Sequence, residues 1–196
     1  SANSINWGRL VPQIVYYFSA YADLLAEGKI AAGDPVNFTV PTGNFGNILA
    51  GYYAKRMGLP VGKLVCASNA NNVLTDFLQT GVYDRQRDFY QTMSPSMDIL
   101  VSSNLERLLY HLTEDAAQVA VWMKSLAEDG TYDASRLLPV LRENFWAAFA
   151  DDAATEEEIR TVYESTQYTL DTHTAVAYRA AEAYRRETGD VRPMVV

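Results

Sequence analysis

Two rhythms of apolar and polar positions divide the chain. Val36-Asn37-Phe38-Thr39-Val40 is short, β-branched and aromatic and follows the turn residues Gly33-Asp34-Pro35, which predicts a buried strand. Ile48-Leu49-Ala50-Gly51-Tyr52-Tyr53-Ala54 then places apolar residues at helical spacing, with stop signals at Gly58 and Pro60. Lys63-Leu64-Val65-Cys66-Ala67-Ser68 predicts a second short strand. Strand, helix and strand with short connections imply a parallel pair joined by a right-handed crossover. Upstream, Trp7, Leu10, Val11, Ile14, Val15, Tyr17, Phe18, Tyr21, Leu24 and Leu25 mark a long helix closed by Gly28. It is apolar around much of its circumference and is expected to be buried on more than one side. Pro12 lies in its first turns or kinks it.

Downstream the pattern is mostly helical. Ser68-Asn69-Ala70-Asn71-Asn72 reads as the cap of a helix over 73–79, and residues 80–104 are rich in loop signals, with Asn104 capping a helix over 105–112. From 114 to about 169 the apolar spacing is helical throughout, through Ala117, Val119, Ala120, Met123 and Leu126 to Leu137, Leu138, Val140, Leu141, Phe145 and Trp146. Thr155-Glu156-Glu157-Glu158 has the form of a capping box opening a helix over 156–169. A last helix reaches Gly189, and Arg192-Pro193-Met194-Val195-Val196 opens a strand. The expected class is α/β, a small parallel sheet with flanking helices and a helical insertion. The expected divisions are 1–104, 105–169 and 170–196.

Charge sharpens the division. Residues 114–164 carry 12 acidic and 4 basic side chains, while the rest of the chain is balanced, so this segment supplies the whole net charge of −8. An acidic helical block argues against nucleic-acid binding and reads as a solvated face. No apolar run is long enough to span a bilayer. A single cysteine, Cys66, rules out an internal disulfide framework and fits a reducing cytoplasm, and two histidines with one cysteine make a dedicated zinc site unexpected.

The candidate chemistry lies at the first strand-to-helix junction, Pro41-Thr42-Gly43-Asn44-Phe45-Gly46-Asn47. Glycine lets backbone N–H groups approach a ligand, and the first N–H groups of a helix lack internal partners. With the positive end of the helix dipole they form an anion site suited to phosphate. The alternative is a capped turn with Asn44 or Asn47 as N-cap. The pattern is neither the dinucleotide fingerprint nor a P-loop, so neither ligand is implied.

Three blocks in order, Ser1-Ala2-Asn3-Ser4-Ile5-Asn6-Trp7-Gly8-Arg9, Pro41 to Asn47, and Leu170-Asp171-Thr172-His173-Thr174-Ala175, resemble threonine synthase. Ser94 to Asn104 resembles a further stretch of it. The resemblance implies the three-layer fold type II of pyridoxal-5'-phosphate (PLP) enzymes. It also implies conversion of O-phospho-L-homoserine and water to L-threonine and phosphate. It assigns the cofactor phosphate to Gly43, Asn44, Phe45, Gly46 and Asn47, the pyridine nitrogen to the Thr174 hydroxyl, and the substrate phosphate to Ser4, Asn6 and Arg9. His173 would order the same turn as Thr174. The family's Schiff-base lysine has no counterpart among Lys29, Lys55, Lys63 and Lys124, and the loop for the substrate carboxylate is missing. The chain is therefore expected to be inactive alone, a piece of a longer enzyme whose N-terminal half is its partner. Two other readings stay open: a related lyase such as a threonine dehydratase, which would lack the N-S-I-N-x-x-R block, and a non-catalytic helical module, which would need no glycine-rich junction.

Overall fold

The computed structural model describes residues 5–196. In chain order the elements are α1 (Trp7–Leu10), α2 (Ile14–Ala26), β1 (Val36–Pro41), α3 (Gly46–Arg56), β2 (Val61–Ser68), α4 (Val73–Thr80), β3 (Val82–Asp84), α5 (Leu105–Thr113), α6 (Ala116–Glu128), β4 (Thr131–Asp133), α7 (Leu138–Asn144), β5 (Phe145–Phe149), α8 (Asp152–Thr166), α9 (Thr172–Thr188) and β6 (Met194–Val195). Four strands form one sheet in the order β5-β2-β1-β6, every pairing parallel, and β3 and β4 form a separate antiparallel pair.

Both faces of the sheet are covered. Leu64 and Cys66 of β2 pack with Ile48, Leu49 and Ala50 of α3, Leu74 and Phe77 of α4 and Leu108 of α5. Val65 and Ala67, pointing the other way, pack with Val176, Ala177 and Ala180 of α9. This is the alternation that a strand buried on both faces requires. The chain runs outward through β1, β2 and β5, then returns on the far side of β1 to lay down β6. The winding thus reverses at β1, and crevices at such reversals, outside the carboxyl ends of the strands, are where ligands of open parallel sheets bind.

The structure corrects five expectations. Residues 145–149 are not helical: Phe145 to Phe149 pair in parallel with Leu64 to Ser68 of β2. A continuous apolar run of this length fits either element, and Asn144 ends α7 just where the free edge of β2 takes up the run. Residues 131–133 are likewise a strand. The first helix is not one rod buried on several sides. A 3₁₀ turn at Val11–Gln13, built on Pro12, separates α1 from α2. One stripe of α2 packs inward through Tyr17 and Tyr21, but Val15 and Tyr16 remain 61% and 65% exposed, because no described element covers that side. The cap of α8 is not the Thr155 box. Asp151 accepts the Ala154 amide at 2.8 Å, and Thr155 sits inside the helix.

Residues 68–72 do not cap α4 through a side chain. Instead Asn69 Nδ2 donates to Asp98 Oδ1 at 2.7 Å and to Thr92 Oγ1 at 2.9 Å, and Asn71 Nδ2 donates to Asp98 Oδ1 at 3.1 Å and to the Tyr90 carbonyl at 2.8 Å. Asn69 and Asn71 are buried, and this network fastens the loop over 90–98 to the carboxyl end of β2. Buried amides are retained where every polar group finds a partner, as here.

Candidate phosphate-binding site

The loop after β1 is shaped by two residues. Phe45 stands at the N-cap of α3 with φ 61° and ψ 5°, a left-handed conformation unusual for a bulky side chain. Its ring is 1% exposed and tilts against Phe145 at 5.8 Å, so core packing holds the turn at a backbone cost of about 1–2 kcal/mol. Gly43 lies against the turn at Pro95–Met97. A Cβ there would stand 2.7 Å from the Ser96 carbonyl oxygen, so only glycine permits this approach.

The carbonyls of the loop are engaged from behind. Ser102 Oγ donates to the Gly43 carbonyl at 2.8 Å, and Asn104 donates to the Asn44 carbonyl through Nδ2 at 2.8 Å and through its amide at 3.1 Å. The Phe45 carbonyl accepts the Leu49 amide and begins the helix. Among the described hydrogen bonds none uses the amides of Gly43, Asn44, Phe45, Gly46 or Asn47. Neither Asn44 nor Asn47 is the N-cap. Asn47 Oδ1 instead accepts the Tyr17 hydroxyl at 2.9 Å, which ties α2 to the loop. Unsatisfied N–H groups at a helix start suit a phosphate dianion, and no side chain is needed to supply the charge.

Known proteins resemble the chain over nearly its whole length. Human threonine synthase-like 1 is 47% identical over 191 residues, covering 96% of this chain and 26% of that protein. Threonine synthase from Eremothecium gossypii is 45% identical over 198 residues, covering 92% of this chain and 38% of its own length. The crystal structure of PLP-bound threonine synthase from Brucella melitensis superposes with a TM-score of 0.91 at 43% identity, covering 100% of this chain and 40% of that one. The chain is a homologue of the threonine synthases. No protein-family model matches it. It spans between about a quarter and two-fifths of the relatives it matches.

In this threonine synthase homologue the remaining predicted residues are dispersed. Ser4 lies outside the described residues. Asn6 caps α1, its Oδ1 accepting the Gly8 amide at 3.0 Å, and Arg9 is exposed on the same helix. Trp7 of α1 packs edge-on against Tyr53, so this segment lies beside later turns of α3 than the one that starts at the loop. His173 and Thr174 open α9, which Asp171 caps by accepting both their amides. The Thr174 hydroxyl also donates to the Asp171 carboxylate, which helps hold that carboxyl below its ordinary range. His173 Nε2 accepts the Ser96 amide at 3.3 Å, which connects α9 to the turn lying on Gly43.

The lysines stand away from the loop. Lys55 donates to the Gly62 carbonyl and Lys63 to the carbonyls of Arg142 and Glu143, both at the amino ends of the strands, opposite the loop. Lys29 pairs with Glu27 and Lys124 with Glu128 on exposed surfaces. Sequence reasoning gave Asn69, Asn71 and Asn104 only the role of helix caps. Asn104 does stand at the start of α5 but makes no side-chain cap bond and turns its amide to the loop instead, and Ser102 and Asp98 were given no role. Ser102 and Asp98 lie in the Ser94 to Asn104 stretch, whose resemblance to the family assigned them no contact.

Proposed function

We propose that residues 43–47 hold the phosphate of PLP through backbone amides, and that the chain serves a threonine synthase converting O-phospho-L-homoserine and water to L-threonine and phosphate. The observation carrying this reading is the row of amides at the start of α3 that no described hydrogen bond uses, in a homologue of threonine synthases. When bound, PLP supplies an electron sink for chemistry at the amino-acid carbons. The residues of this chain anchor and orient it. Arg9 is assigned to the substrate phosphate, since its exposed guanidinium has no ion pair among the described residues and this side chain pairs bidentately with phosphate. Ser4 and Asn6 belong to the same block, although the Asn6 oxygen is committed to its cap. For Thr174 to serve the pyridine nitrogen as donor, its hydroxyl would have to leave Asp171. Lys55 and Lys63 stand at the amino ends of the strands and Lys29 and Lys124 form exposed ion pairs, so in this reading a second segment brings the amine that joins the cofactor. The reducing cytoplasm suits its single buried cysteine.

The test is to titrate the purified chain with PLP and, separately, with pyridoxal, which lacks the phosphate, and to assay phosphate release from phosphohomoserine. Binding that depends on the phosphate, without turnover, is expected. Equal affinity for the two compounds would remove the phosphate site. Turnover with one specific lysine modified after borohydride reduction would show that the chain needs no second segment.

A further inference from the structure

We infer that Ser102 and Asn104 are positioning residues for the anion loop, aiming the Asn44 and Phe45 amides away from the protein. This inference rests on the phosphate reading above. A trans peptide is planar, so the N–H of one residue points opposite to the carbonyl of the residue before it. Ser102 Oγ holds the Gly43 carbonyl at 2.8 Å, which turns the Asn44 amide the other way. Asn104 holds the Asn44 carbonyl with two donors, at 2.8 and 3.1 Å, which does the same for Phe45.

The clamp is itself braced. Tyr83 is 1% exposed and stacks on Tyr132 at 5.3 Å with an interplanar angle of 6°. Its hydroxyl accepts the Ser102 amide at 2.8 Å and donates to the Leu100 carbonyl at 3.1 Å, so Ser102 is fixed from the β3–β4 pair. Asn104 is fully buried, and its Oδ1 accepts the Arg107 guanidinium, which leaves Nδ2 as the group that faces the loop. A left-handed Phe45 alone could still let the two preceding peptides rotate. Three donors on two successive carbonyls remove that freedom, and orientation set before the ligand arrives need not be paid for on binding.

Two measurements test this. Residual dipolar couplings report the directions of the Asn44 and Phe45 N–H vectors with no ligand present. PLP and pyridoxal titrations report what those directions contribute. For Ser102→Ala, a fold retained by circular dichroism, displaced or averaged vectors at Asn44, and a loss of roughly tenfold in affinity for PLP with pyridoxal unchanged are expected. Ser102→Thr, which keeps the hydroxyl, should restore both. Asn104→Asp, which replaces the donor facing the Asn44 carbonyl by an acceptor, gives a second variant and should displace the Phe45 vector. Vectors and PLP affinity unchanged in Ser102→Ala would overturn the inference. So would equal losses for PLP and pyridoxal, which would mark a general structural role. If the parent chain binds no PLP but its vectors move in the variants, the phosphate reading fails and the positioning role stands.

Discussion

Phe45 combines an unfavourable backbone with a favourable side chain, and the two can be separated by mutation. Phe45→Gly would relieve about 1–2 kcal/mol of left-handed strain but lose a buried ring whose removal costs about 3–5 kcal/mol. The net expectation is a destabilisation of roughly 1–4 kcal/mol, read as a lower midpoint in urea with the slope unchanged. Cys66 gives a second expectation at this scale. It is fully buried beside Thr42, and burial pushes its thiol up to about 12, so the reactive thiolate is scarce at neutral pH. A chromogenic disulfide reagent should leave it untouched in the folded protein and titrate one thiol in denaturant. Fast labelling of the native chain would contradict the packing around β2. At this scale the strand-to-helix junction of the loop was legible in the sequence, because strand, turn and helix signals adjoin within a dozen residues, whereas the expected asparagine N-cap was not found. The roles of Asn69, Asn71 and Asn104 were not legible. Each resembles a helix cap locally, and its true partners lie about 20 to 60 positions away.

Among the elements, the return of the chain to the sheet is secured at one carboxylate. Asp190 Oδ2 accepts Tyr184 Oη at 2.6 Å, Asn37 Nδ2 at 3.0 Å and Arg192 Nη2 at 2.6 Å, joining the end of α9 to the start of β1 and the approach to β6. These donors, the Arg192 guanidinium foremost, hold the Asp190 carboxyl well below its ordinary range. A depressed folded-state value stabilises the fold above the unfolded carboxylate value near about 4, and that stabilisation is lost as the pH falls toward the folded one. Asp190→Asn should therefore destabilise the protein at pH 7 by about 1–3 kcal/mol, and the gap between variant and parent should narrow below about pH 4. A gap independent of pH in thermal or urea unfolding would show that the charge is not what matters. The missed strand β5 belongs to the same scale. Phe145-Trp146-Ala147-Ala148-Phe149 shows no apolar–polar alternation in sequence, although Phe145 and Ala147 are buried on one face while Trp146 and Ala148 are half-buried on the other, and it continues the apolar spacing of the helix before it. Only the free edge of β2 distinguishes it, and that edge is a tertiary fact.

For the whole molecule, one face stands apart. Val11, Val15, Tyr16 and Phe18 all exceed a third of full exposure, and Trp7 and Met57 do so nearby. Exposed apolar clusters on folded chains promote association. Sedimentation should show concentration-dependent self-association, and Val15→Glu should suppress it without lowering thermal stability. Monodisperse behaviour of the parent at high concentration would discount the patch. The α/β class and central parallel pair were readable at this scale from the two periodicities. The strand order was not, since periodicity says which face is buried but not which strand lies beside which. That order also bears on synthesis at the ribosome. β1 finds one neighbour, β2, some 25 residues later, but its other neighbour, β6, only about 155 residues later, and Asn37 waits as long for Asp190. At elongation rates of roughly 5–20 residues per second, one flank of the central strand stays unpaired for on the order of ten seconds of translation. During that interval the nascent chain offers a strand edge to whatever is near, and the window in which a chaperone could matter is set by the position of β6.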